Sequence, residues 1–300
     1  MKRLPLFQNP ILMITLMFAI TQIIGLISGI LLISSARGNE YVNMMSISVV
    51  DDSNSILNAF LLIFYVLIGA GIALLIMKFF RTKILFRLME LAVVGGTVSV
   101  LLFSFIFALS GFGFFESLFS SILAGGAFSI IKFFTPSLKN PAAILSSAGV
   151  AALFGFSLGF IPALAFILLL SLYDYIAVFK TRHMLTLAKG LGTHDMSFTI
   201  TAKAKPPSKA NIKIEKIPEK ELMRLDLGSG DLAVPAVLAV STYSSFGLEG
   251  AIAVAVGAII SIYFTLEFVI KRHVVLPALP PICLGSLIAL FLAELIKLAI

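Results

Sequence analysis

Long apolar runs recur along the chain, parted by short polar stretches. A helix needs about 20 mostly apolar residues, each rising about 1.5 Å, to cross about 30 Å of hydrocarbon. Runs of this kind cover Ile11–Ser35, Ile56–Met77, Leu91–Leu109, Leu118–Ile131, Ala142–Phe160, Pro162–Phe179, Leu232–Phe246, Ile252–Ile270 and Ile282–Leu298. The pattern predicts nine spans, six before a long polar stretch and three after it. The runs from Leu118 and Leu232 are short, and the fifth and sixth are separated only by a turn at Ile161-Pro162.

The basic residues arbitrate the count, because Lys and Arg gather in the short loops on the cytoplasmic side. With Lys2 and Arg3 inside, the even-numbered connections hold Lys78, Arg81, Lys83 and Arg87, then Lys132 and Lys139, then the long loop, then Lys271 and Arg272. The odd-numbered connections hold Arg37 among Glu40, Asp51 and Asp52, then Glu116, then no charge, then Glu249. The expected fold class is therefore all-α: a polytopic membrane protein of nine transmembrane helices, its N-terminus cytoplasmic and its C-terminus outside. The first run ends at Ser34-Ser35-Ala36, which looks slightly like a signal-peptidase site, but it is too long for a typical signal h-region and reads as an uncleaved anchor.

Composition agrees with this picture. The 300 residues are 59% hydrophobic and only 12% charged, and a soluble globule of that size lacks the interior to hide so much apolar side chain. The net charge of +7 then reads as a topology signal and gives no reason to expect nucleic acid. Cys283 is the single cysteine, which excludes an intrachain disulfide and suggests a small packing residue.

One membrane-embedded domain is expected over 1–300: helices one to six in 1–179, a hydrophilic cytoplasmic loop in 180–226, and helices seven to nine in 227–300. The loop carries ten basic and five acidic residues, with Pro206-Pro207 and Pro218. Within it Ser197–Thr201 and Ile212-Lys213-Ile214 alternate with the period of a strand. Read plainly this is a solvated linker; the sharper alternative is a short hairpin or edge strand able to pair with another chain.

Ionisable residues inside apolar runs are costly and each needs an account. Glu90 follows Arg87 by three residues, Glu294 precedes Lys297 by three, and Glu267 precedes Lys271 by four, so local helix pairs suffice. Asp174, in Tyr173-Asp174-Tyr175, and Asp231, in Gly228-Ser229-Gly230-Asp231, have no basic residue at helical spacing within the membrane. The sixth span runs inward and the seventh outward, so the two carboxyls fall at similar depth in the cytoplasmic leaflet. Two carboxyls brought close together hold a single proton between them. That is the arrangement by which an aspartic protease activates water and polarises a carbonyl. Gly228 and Gly230 clear side chains from beside Asp231. Three prolines in Pro277-Ala278-Leu279-Pro280-Pro281 preclude an ordinary helix start and leave backbone groups in need of partners.

Tyr173-Asp174, Gly228-Ser229-Gly230-Asp231 and Pro277-Ala278-Leu279, in this order and on these spans, resemble the signatures of the presenilin and signal peptide peptidase family of GxGD intramembrane aspartyl proteases. Each motif is short, and the specificity lies in their coincidence with nine spans and a large loop between the aspartates. Ser229 stands where leucine is usual in the animal members. The compact chain looks like a microbial, archaeal-type homologue, which implies a multi-pass protein of a prokaryotic cell membrane. The resemblance implies Asp174 and Asp231 as catalytic residues, Tyr173, Gly228, Ser229, Gly230, Pro277, Ala278 and Leu279 as active-site support, transmembrane-helix substrates in the lipid bilayer, and no cofactor. A substrate helix must unwind to be cut, and the approach Arg224-Leu225-Asp226-Leu227, with Leu225 and Leu227 assigned to substrate binding, is suited to pair with the exposed backbone.

The main alternative is an ion- or proton-coupled transporter or channel using the same carboxyls, although no internal repeat accompanies them. A non-catalytic scaffold for membrane helices is a third reading. His183, His194 and His273 form no ligand constellation, so no metal is expected. Gly190-Leu191-Gly192 lacks the context of a phosphate loop. Homo-oligomerisation is left open by the sequence.

Overall fold

A computed structural model describes residues 9–48, 52–79, 83–176, 199–203, 224–272 and 276–299. The elements are α1 (Pro10–Gly38), α2 (Glu40–Asn43), α3 (Ile56–Phe79), α4 (Lys83–Leu109), α5 (Phe114–Phe134), α6 (Lys139–Ser157), α7 (Phe160–Ile176), β1 (Thr199–Lys203), β2 (Arg224–Gly228), α8 (Ser229–Arg272) and α9 (Leu279–Ala299). The protein is mostly helical and multi-pass. Among the described residues six helices are long and apolar enough to cross a membrane, and Ile56–Tyr65 of α3 and Phe160–Ile176 of α7 are shorter apolar stretches. Large apolar side chains such as Phe264, Leu284, Ile288 and Phe291 stand exposed, as a lipid-facing surface requires.

Two features add to the expected pattern. The runs Leu232–Phe246 and Ile252–Ile270 are two helices, as expected, that meet directly at a kink within the 44-residue element α8, at Gly247 with φ 73° and ψ −169°. Unbroken, that element would extend about 66 Å, more than twice the hydrocarbon thickness. The break uses a backbone conformation that essentially only glycine adopts. The second feature, and the one departure from an all-helical chain among the described residues, is a two-stranded antiparallel sheet, with Ile200 opposite Leu227, Thr201 opposite Asp226 and Ala202 opposite Leu225. The strand reading of Thr199–Thr201 thus has a partner, and that partner is the segment leading into α8. The strand-like stretch Ile212–Ile214, His183, His194, His273 and Gly190-Leu191-Gly192 lie outside the described residues.

Local chemistry fixes the helix starts. Asn9 Oδ1 accepts from the Ile11 N–H at 3.1 Å, with Pro10 as the first helical residue of α1. Glu116 Oε2 accepts from the Gly113 N–H at 3.2 Å at the start of α5. Between α4 and α5, Gly95 and Ser99 meet Gly125 and Ser129, the spacing that lets backbones approach. Sequence spacing pairs Glu90 with Arg87; the structure shows a buried ion pair from Glu90 to Lys132 of α5, while the Arg87 guanidinium lies 5.5 Å from the centre of the Phe133 ring. Glu267 does pair with Lys271, at 2.7 Å.

The first half of α8 is the centre of the fold. Every residue from Leu232 to Thr242 is buried, as a helix apolar on all sides must be, and α8 packs against α1, α6, α7 and α9. Small residues make room for it: Gly29 of α1 and Gly155 of α6 both lie against Val240. On α6, a methyl group at Gly149 would run into the carbonyl of Thr97, whereas one at Gly126 of α5 meets nothing within 4 Å. Gly149→Ala is therefore expected to destabilise the protein by about 1–3 kcal/mol through overpacking. Gly126→Ala should be neutral or stabilising by up to about 1 kcal/mol, because it lowers the entropy lost on helix formation. Thermal unfolding in detergent tests this; equal midpoints for the two variants would contradict the close α6–α4 contact.

Candidate active site

Asp174 sits in the last turn of α7 and is only 7% exposed, whereas its neighbour Tyr173 is 55% exposed. Adjacent residues on a helix point about 100° apart, so one face of this turn turns inward and the other outward. The partner of the Asp174 carboxyl is the start of α9: the backbone N–H groups of Ala278 and Leu279 donate to it. Pro277 is buried just before this point. The first amides of any helix lack internal acceptors and attract an anion. Pro280 and Pro281 have no N–H at all, so the free donors at this helix end are concentrated at Ala278 and Leu279. Two backbone amides of the proline-rich motif thus find a partner in Asp174, and the Pro281 carbonyl accepts from Ser261 Oγ.

Asp231 is the third residue of α8, and its carboxylate accepts from the backbone N–H of Gly228, the residue preceding the helix. This is the acidic half of a capping box. A side chain at Gly228 would begin 3.3 Å from Asp231 Oδ2, while Gly230 has nothing within 4 Å and is exposed. The first glycine thus keeps the carboxylate against the backbone; the second leaves open space beside it. Asp174 and Asp231 are near enough for their charges to interact, and Cys283 lies near both. The fold therefore brings together the ends of three elements: the last turn of α7 and the first turns of α8 and α9.

Several polar side chains hold this junction. The Ser171 hydroxyl, one turn before Asp174, is hydrogen-bonded to Cys283, one turn after Leu279, giving α7 and α9 a second link. Gln22 of α1 donates through Nε2 to the carbonyl of Leu232 at 3.0 Å, and Ser147 Oγ of α6 donates to the carbonyl of Ser229 at 3.1 Å. Leu225 and Leu227 pack into a cluster with Ile14, Phe18, Ile200, Ala202 and Leu232, so their side chains turn inward, and the alternate residue Asp226 is exposed.

A family model described as "Signal-peptide peptidase, presenilin aspartyl protease" matches residues 16–299. The chain belongs to that family. Two solved structures, each described as a presenilin family intramembrane aspartate protease, one in space group C222 and one in P2, have the same fold. The first superposes with a TM-score of 0.65 at 21% identity over 96% of this chain and all of its own. The second has a TM-score of 0.65 at 22% identity over 99% of this chain and all of its own. No curated protein matches the chain.

The sequence singles out the two carboxyls, but not what holds them. Gln22, Ser147 and Ser171 carry no motif and look like ordinary polar residues in apolar runs. Their signal in the sequence is only that a polar side chain within a span needs a partner. Cys283, read as a packing residue, is indeed buried among apolar neighbours, yet it also borders the two aspartates.

Proposed function

We propose that this protein is an intramembrane aspartyl endopeptidase of the GxGD type, hydrolysing peptide bonds within transmembrane segments such as membrane-protein stubs or signal peptides. The observation that supports the reading is the packing of α7, α8 and α9 against one another, with Asp174 and Asp231 near enough for their charges to interact. One carboxyl, ionised, takes a proton from water as the water oxygen attacks the scissile carbonyl carbon. The other, protonated, donates to the carbonyl oxygen and stabilises the charge that develops there. Collapse of the tetrahedral intermediate breaks the C–N bond, and the proton first taken from water passes to the leaving nitrogen. A helical substrate must unwind to expose that bond, and its freed backbone groups need partners. Strand β2 leads directly into Asp231 and is placed to supply them by strand addition.

Nine crossings with a cytoplasmic N-terminus and an outer C-terminus are part of the same proposal. Each predicted run coincides with a helix or a half of α8, and the basic residues alternate from side to side. With that orientation, Asp174, Asp231 and the start of α9 lie in the cytoplasmic leaflet, and the membrane proposed is a prokaryotic cell membrane. The test is to incubate the purified, detergent-solubilised protein with a single-span transmembrane peptide and identify products by mass spectrometry. Discrete internal cuts are expected. Ion flux through proteoliposomes without any peptide product would instead identify a transporter or channel.

A further inference from the structure

The polar face of α6 has a role that the catalytic scheme leaves unused. In an antiparallel pair, residues alternately direct their backbone N–H and C=O toward and away from the partner strand. At Thr201 both groups are taken by one side chain of α6: the Thr201 N–H donates to Asn140 Oδ1 at 3.0 Å, and Asn140 Nδ2 donates to the Thr201 carbonyl at 2.9 Å. An asparagine amide has one acceptor and a donor group, and here it occupies the edge of β1 as a neighbouring strand would. The Thr201 hydroxyl continues the network, accepting from Lys139 Nζ at 3.2 Å and donating to Asp226 Oδ1 across the sheet.

Seven residues along α6, Ser147 holds the carbonyl of Ser229. Seven residues are two helical turns, so Asn140 and Ser147 share one face, about 10 Å apart along the axis. Between them Ala143 and Ile144 pack in the same cluster as Ile200, Ala202 and Leu227. One face of one helix thus holds both ends of the path from β1 through β2 to the start of α8. A strand that slips by one residue turns every side chain to the opposite face, so a fixed point on β1 holds it in one register with β2, the strand that runs directly into Asp231.

We propose that Asn140 is a positioning residue that closes the outer edge of β1, directs an added strand to β2, and thereby determines which peptide bond reaches the aspartates. The proposal rests on the protease reading above. With Asn140 in place, the extended substrate pairs in one register; without it, the hairpin samples neighbouring registers.

The full-length protein is compared with Asn140→Ala and Asn140→Asp, using a single-span transmembrane peptide, product mass spectrometry and hydrogen exchange of Thr199–Lys203. Asn140→Ala is expected to speed exchange across β1, lower kcat/KM by about 3- to 10-fold, as for the loss of one or two neutral hydrogen bonds, and spread the cuts over adjacent bonds. Asn140→Asp keeps the acceptor for the Thr201 N–H and should fall between, which guards against a folding defect in the alanine variant. Unchanged exchange in both variants overturns the clamp, whether or not any peptide is cut. Faster exchange with the wild-type cleavage positions overturns the positioning role alone. A wild-type protein that cuts no peptide defeats the protease reading, and the exchange comparison still decides the clamp.

Discussion

Asp231→Asn is expected to reduce cleavage of a transmembrane peptide by at least about 10³-fold, and Asp174→Asn by a similar factor. An asparagine has nearly the shape of aspartate but can neither accept a proton from water nor donate one as an acid, and a positioned acid or base contributes roughly 10²–10⁴-fold. The two groups act in one step, so the double variant should be little worse than either single one. Shape is retained in a specific way at Asp231: an asparagine Oδ1 still accepts from the Gly228 N–H that holds the present carboxylate. Thermal stability should therefore stay near wild type while product disappears. Cleavage at more than about a tenth of the wild-type rate in either variant contradicts a two-carboxyl mechanism, since a lost acid or base costs at least roughly 10²-fold.

A second large effect is expected from Ala278→Pro. Proline removes the backbone N–H that Asp174 receives at this position, changes the side chain little, and falls just before the first residue of α9, where proline is sterically tolerated. A hydrogen bond to a charged group is worth about 1.5–3 kcal/mol, so cleavage should fall about 10- to 150-fold if the amide holds the carboxylate in its working position. Ala278→Ser keeps the N–H and serves as the control, with activity expected within a few-fold of wild type. A proline variant as active as the serine variant would show that the Leu279 amide suffices. The measurement is kcat/KM on a single-span peptide, with helicity followed by circular dichroism.

The architecture was legible where hydrophobic length carries the information. Each apolar run coincides with helical structure because a segment in hydrocarbon must satisfy its own backbone, and a helix does so regardless of its neighbours. The two helices of α8 were legible as two runs, whereas the direct kink between them at Gly247 was not, because Glu249 interrupts hydropathy without revealing how short the junction is. The aspartates stood out because neither had a basic residue at helical spacing. Their partners did not, since the amides of Ala278 and Leu279 belong to backbone that any residue provides. What the sequence does show there is the absence of donors at Pro280 and Pro281. The pairing of β1 with β2 joins residues separated by 20 or more intervening positions, and alternation alone could not select Arg224–Gly228 over Ile212–Ile214. Glu90 illustrates the same limit: helical spacing suggests Arg87, but the approach of α5, set by Gly125 and Ser129, brings Lys132 into reach.

The paired prolines at the start of α9 have a further consequence for how the protein checks its own assembly. If α9 docked one residue out of place toward its C-terminus, a pyrrolidine nitrogen would face Asp174 where an amide hydrogen now stands, and the next residue along would offer the same. A one-residue slip therefore leaves a buried carboxyl with one amide donor in place of two, and finds no substitute for the other. The correct alignment of α7 and α9 is thus recognised as a match between one side chain and two consecutive amides, flanked by positions that cannot imitate them.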